Sequence, residues 1–235
     1  MMLPKLATPK YDMIVPSTGE SITYRPYVVK EEKILLIAME TQDEVAMEKA
    51  VIDMIKICVE TPIDFKTLTN FDVEFMFVTL RTKSVGEGVE IRLNCKHCEE
   101  EIDHKIDLEK IKVKNLEDAP DKNVKLTDDI SVDLKWLKTD DRLTDKERKT
   151  GADTVINMIA KSIETIYSGE EIFVIADAPK KEVVDFVESL NTTQFALLVD
   201  VISQAPQLNY KIDLACPACG KESKIELNGL SDFFQ

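Results

Sequence analysis

The sequence predicts an α+β protein: two helical halves joined by a β-rich segment, each half ending in strand, Cys-x-x-Cys turn and strand. Three observations predict it. Apolar residues recur at three- and four-residue steps in several stretches, the signature of half-buried helices. Between residues 109 and 144 that stripe gives way to charged, strand-prone runs. And "IRLNCKHCEEEIDHKIDL" from Ile91 is answered by "IDLACPACGKESKIEL" from Ile212.

The elements follow in order. "YDMIV" and "SITYRPYV" alternate around "PSTGE", which spells a hairpin, and Pro26 confines the second strand to an edge or ends it. "KEEKILLIAMET" and "DEVAMEKAVIDMIKICVE" are helical; in the latter Val45, Met47, Val51, Ile52, Ile55 and Val59 make the buried stripe, and Pro62 stops it. "NFDVEFMFVTLRTKSVGEG" is an apolar helix that buries Phe71, Phe75, Val78 and Leu80 and exits at Gly86 and Gly88. "TDKERKTGADTVINMIAKSIETIY" is expected to be helical throughout, with Val155, Ile159, Ile163 and Ile166 on one face. "EEIFVIAD" is a short strand. "APKKEVVDFVESL" is a helix with proline in its first turn, and "NTTQFALLVDVISQAP" is a helix capped by Asn or Thr. The expected division is an N-terminal arm and hairpin (1–28), a helical half ending in the first knuckle (29–108), a β-rich connection (109–144), and a second helical half ending in the second knuckle and an aromatic tail (145–235).

Composition narrows the function. The 235-residue chain has no run of about 18 apolar residues, so no membrane span is expected. Its start lacks the apolar core of a signal peptide, so a reducing cytosol is expected, where paired cysteines are more often metal ligands than disulfides. The net charge of −14 argues against nucleic acid as the main partner, because phosphate binding needs a basic footprint. Phosphate-binding loops, dinucleotide fingerprints, nucleophile elbows and zinc-protease motifs are absent, and the chain's two histidines both lie beside the first knuckle. No catalytic residue is nominated.

Four of the five cysteines form the two matched pairs: Cys95 with Cys98, and Cys216 with Cys219. One Cys-x-x-Cys turn points two sulfurs the same way and supplies half a tetrahedron; two facing turns supply four thiolates, the zinc-ribbon arrangement. The ribbon would be split, since its halves lie far apart in sequence, well beyond the roughly 15–20 residues of common ribbons. The expected cofactor is therefore one structural zinc per chain. Other pairings stay open: His97 or His104 could join the first pair, or each pair could remain metal-free or form a disulfide. The likeness extends upstream, where Phe75 and Phe195 lie in apolar helices leading into the two knuckle strands. Cys58, on a helical stripe, reads as a core thiol.

The N-terminal "LPKLATPKYDMIVPSTGESITYRPYVVKEEKILLIAME", the helix "FDVEFMFVTLRTKSVGEGVEI" running into Cys-x-x-Cys, and the terminal "LNGLSDFF" together resemble a known family. It is that of the baseplate hub subunits and hub-assembly proteins of T-even-type contractile-tailed bacteriophages. "YRPYVVKEEK" and "LRTKSVGE" are the most specific parts. The resemblance implies a protein made in the cytoplasm of the infected host and used in building the baseplate hub. It implies other hub proteins as partners in a larger hetero-complex, and a place in the virion tail baseplate if the chain is retained. It brings no catalytic residue and no metal site. Phe233 and Phe234 are candidates for docking to a partner, with packing on the chain's own core as the plainer reading. The alternative function is a zinc-ribbon nucleic-acid-binding protein of phage or host transcription.

Overall fold

The turn "PSTG" makes the first element. The structure, a computed structural model, describes residues 6–41, 43–141, 143–144 and 147–230. Strands β1 (Tyr11–Ile14) and β2 (Ser21–Tyr24) pair antiparallel with Tyr11 opposite Tyr24. Gly19 takes a φ of +71°, which lets its N–H reach the Val15 carbonyl. β2 stops before Pro26, which could not donate to a ladder.

Helices α1 (Val29–Glu40), α2 (Glu44–Cys58) and α3 (Asn70–Ser84) follow. Asp43 caps α2 by accepting the N–H groups of Val45 and Ala46. Val51, Ile52 and Ile55 are buried on α2 as expected, joined by Ala50, Met54 and Cys58. Phe71, Val78 and Leu80 are buried on α3, while Phe75 is half-buried. α3 lies between two cores. Val73, Met76, Phe77 and Leu80 join the cluster of Val15, Ile22, Tyr24, Met54 and Leu68, whereas Val78 joins a second cluster. Burying each such large side chain stabilises the fold by about 1.5–3 kcal/mol.

Next come the hairpin β3 (Gly88–Asn94) and β4 (Glu101–Asp107), then β5 (Lys112–Lys114). Strands β6 (Asn123–Lys125) and β7 (Ile130–Leu134) precede α4 (Gly151–Ser162), β8 (Ile163–Ser168) and β9 (Glu171–Val174). Helices α5 (Lys180–Ser189) and α6 (Thr192–Ser203) lead to the hairpin β10 (Gln207–Ala215) and β11 (Glu222–Asn228). The fold is α+β, with six α-helices and four antiparallel sheets among the described residues.

Three local expectations are corrected. The stretch 144–167 is not one helix where it is described: α4 starts at Gly151, capped by Thr150, and ends at Ser162, while Ile163–Ser168 is a strand between β7 and β9. The β-branched and aromatic residues of "IETIYS" favour a strand, and Ile163 and Ile166 are buried there as they would have been on a helix. Val155 is exposed and Ile156 packs on the core instead. Pro179 stands at the N-cap of α5, one position before the first turn.

The chain gathers into two compact units, one drawn from Met1–Lys114 and Gln207–Gln235, the other from Asn115–Pro206. In the first, β5 pairs with β10 so that Lys114 lies opposite Gln207. The chain therefore leaves and re-enters this unit on a single rung. In the second, sheet order is β6-β7-β8-β9, and the core joins Val132, Leu134, Ile163 and Ile166 to Ile159, Val183, Val187 and Leu198 of the helices. The two Phe-bearing helices that precede the hairpins thus differ in their packing: Phe75 packs with the hairpin cluster, Phe195 within the second unit.

Candidate metal centre

Both cysteine pairs sit in turns of the same construction. In the first, the Cys95 N–H donates to the Glu100 carbonyl and the Glu99 N–H to the Cys95 carbonyl; in the second, Cys216 N–H donates to Lys221 and Gly220 N–H to Cys216. Glu99 and Gly220 hold equivalent positive-φ positions, at +60° and +69°. The strands below each turn run in matching register, with Asn94 opposite Glu101 and Ala215 opposite Glu222. Alternate residues Ile91 and Ile106 of one hairpin, and Ile212, Leu214 and Leu227 of the other, point into one apolar cluster with Val78, Leu108, Ile111 and Leu208. Polar contacts help join the hairpins: Lys96 Nζ donates to the Lys224 carbonyl at 3.0 Å, and the Asp107 N–H to the Tyr210 hydroxyl at 3.3 Å. Neither contact has a signal in the sequence, since both residues belong to ordinary-looking strand and turn segments.

This packing brings the four sulfurs together. All lie within 4.8 Å of one another. Cys95 Sγ is 3.8 Å from Cys219 Sγ, and Cys98 Sγ is 3.6 Å from Cys216 Sγ. A disulfide needs about 2.0 Å, so these are thiols. Four sulfurs each about 2.3 Å from one ion would stand roughly 3.8 Å apart at the corners of a tetrahedron, and the donor set fits zinc by spacing and chemistry. His97 is exposed and His104 lies mid-strand opposite Ile91; neither joins the cluster. Cys95 and Cys216 are buried, Cys219 is half-buried and Cys98 exposed.

Two of the clustered thiols are shifted in opposite directions. The His97 N–H, 3.4 Å from Cys95 Sγ, holds that thiol down at about 7, with help from the Cys98 N–H. Cys98 goes the other way: the Glu100 N–H favours its thiolate, but the partial loss of hydration beside its neighbours and the thiols of Cys216, Cys95 and Cys219 outweigh it and push it up to about 12. Once one thiolate forms, the next is suppressed unless a positive ion shares the space. Cys58 stands apart in the first core, fully buried, its thiol pushed up to about 11 chiefly by that burial. Phe233 and Phe234 lie outside the described residues.

Comparison with known proteins supplies the family. The model of the family described as "T4 bacteriophage base plate protein" matches residues 8–235. The chain belongs to this family. Among curated proteins, "Baseplate hub assembly protein gp26" of Enterobacteria phage T4 is 26% identical over 227 residues, covering 96% of this chain and 97% of the relative. No solved structure matches. All four clustered cysteines of this base plate protein fall within the matched span. Among its described residues, no helix is long and apolar enough to cross a membrane.

Proposed function

We propose that this base plate protein is a non-catalytic structural or assembly component of the phage tail baseplate hub. It binds other baseplate proteins within a larger hetero-complex, and one zinc ion per chain, held by Cys95, Cys98, Cys216 and Cys219, staples its two hairpins into a split ribbon. The observation that carries the role is the end-to-end likeness to a hub assembly protein, which spans both knuckles and both units. The chain does this work in the host cytoplasm while the hub is built, with Phe233 and Phe234 as candidate docking residues.

The metal reading rests on the sulfur quartet. Bound zinc supplies a closed four-thiolate shell with no position for water, a crosslink and not a Lewis acid. In zinc-finger peptides such a shell contributes on the order of 10 kcal/mol to folding. Cys98 and Cys216 are 118 residues apart, so the crosslink ties the chain's last hairpin to its first half.

The experiment is affinity capture of the tagged chain from infected cells, with protein mass spectrometry of the eluate and of purified particles. Co-purification with defined baseplate proteins is expected. Stoichiometric presence in particles would mark a subunit, and absence from them a departing assembly factor. Recovery free of baseplate proteins, with tight salt-sensitive binding of DNA or RNA in gel shifts, would contradict the proposal.

A further inference from the structure

Strand β9 is the outer strand of the four-stranded sheet in the second unit. β8 ladders along one side, and among the described residues no strand pairs with the other. Soluble proteins blunt such edges with lysine, proline or a bulge, because free N–H and C=O groups invite another strand. β9 is short and opens on a charge, but it has no lysine, proline or bulge: its sequence is Glu171-Ile172-Phe173-Val174, and its register against β8 is unbroken.

Its side chains make the edge unusual. Ile172, Phe173 and Val174 are 64%, 49% and 48% exposed. Phe173 lies opposite Ile166, on the face that the helices of this unit cover, whereas Ile172 and Val174 lie opposite Tyr167 and Thr165 on the other face. Apolar groups therefore stand free on both faces of one unpaired strand. An added strand would cover both sets with alternate side chains while its backbone completed the ladder.

Charge selects the occupant. Residues 164–177 contain Glu164, Glu170, Glu171 and Asp177, with no lysine or arginine. Two copies of the chain joined edge to edge would bring two segments that carry only acidic charges side by side. A segment carrying basic residues would meet them favourably and be steered to them. We propose that the free edge of β9 is a strand-addition site for an extended segment of another protein, apolar residues alternating with lysine or arginine. This deepens the proposed role and rests on it in taking the partner to be another protein of the complex.

The test uses the full zinc-loaded chain and a defined probe, a capped decapeptide of alternating valine and lysine. A second peptide carries N-methyl groups along one edge, which keeps its charge and removes its ladder donors. Hydrogen exchange should slow at least tenfold within Glu171–Val174 on adding the first peptide and stay unchanged with the second. The Ile172→Lys/Phe173→Lys double variant should bind the first peptide at least tenfold more weakly, while its zinc content and melting temperature stay at the wild-type values. Absence of binding, equal binding of both peptides, or protection confined to other segments would overturn the proposal. So would a wild-type dimer in light scattering that the double variant abolishes, since the edge would then belong to a second copy. None of these readouts depends on baseplate recovery from infected cells, so the two proposals fail separately.

Discussion

Glu99 and Gly220 hold the same backbone position in the two cysteine turns, each with positive φ and each donating its N–H to the carbonyl of the first cysteine of its pair. The turn requires a left-handed residue there. Glycine adopts it freely, whereas a side chain costs about 1–2 kcal/mol. The second knuckle is thus relaxed and the first is strained.

Glu99→Gly should therefore stabilise the chain by about 1 kcal/mol, read as a melting temperature higher by about 2–4 °C for a chain of this size. Gly220→Ala should lose a similar amount. Nothing lies within 4 Å of the added Cβ, so the penalty is conformational and not steric. Paired thermal melts of the zinc-loaded variants check both signs.

Asp72 ties the first hairpin to the start of α3. It is buried, and its carboxylate accepts the backbone N–H of Ser17 at 2.8 Å, the Ser17 hydroxyl at 2.6 Å and the Thr69 N–H at 2.9 Å, with the Thr69 hydroxyl as a fourth donor. Asp72→Ala leaves these donors without their acceptor and should cost about 3 kcal/mol in urea unfolding. Asp72→Asn should cost less, because one amide oxygen can still accept.

Glu74, on the same helix, should make stability fall with rising pH. Burial pushes its carboxyl up to about 7, against the Leu230 N–H that donates to it, and Glu48 adds to the rise. In the unfolded chain a glutamate titrates near 4.3. The folded state therefore keeps a proton that the unfolded state has lost. The resulting stability is fully present below about pH 4.3 and is lost as pH climbs through about 7, a loss of up to about 4 kcal/mol. Glu74→Gln, which still offers Leu230 an acceptor, should flatten that part of the profile and be more stable than the wild type at pH 8. Urea melts at pH 5 and pH 8 decide it.

The nearness of the four cysteines was legible because each knuckle is a local motif with a repeated frame: Leu93 and Leu214, Ile91 and Ile212, Cys95 and Cys216 keep step. Helices with capping residues and an apolar stripe were legible for the same reason, as in Asn191 and Gln194 at the start of α6, which satisfy each other's backbone N–H groups. Periodicity misled at Ile163 and Ile166, since residues three apart can both be buried on a strand when the pairing shifts, as it does between Asp133 and Leu134. The pairing of Lys114 with Gln207 has no local signal at all. It is a long-range rung, and the packing difference between Phe75 and Phe195 likewise rests on contacts distant in sequence. The exposed edge of β9 was equally silent, because "EIFV" reads alike as a central or an outer strand.

Metal content per chain, measured on the wild type and on Cys95→Ser and Cys216→Ser, tests the shared ribbon most directly. One zinc per wild-type chain is expected, with loss of that zinc and a similar drop in melting temperature in each variant. If Cys216→Ser retained a full zinc complement while Cys95→Ser lost it, the two hairpins would not share an ion.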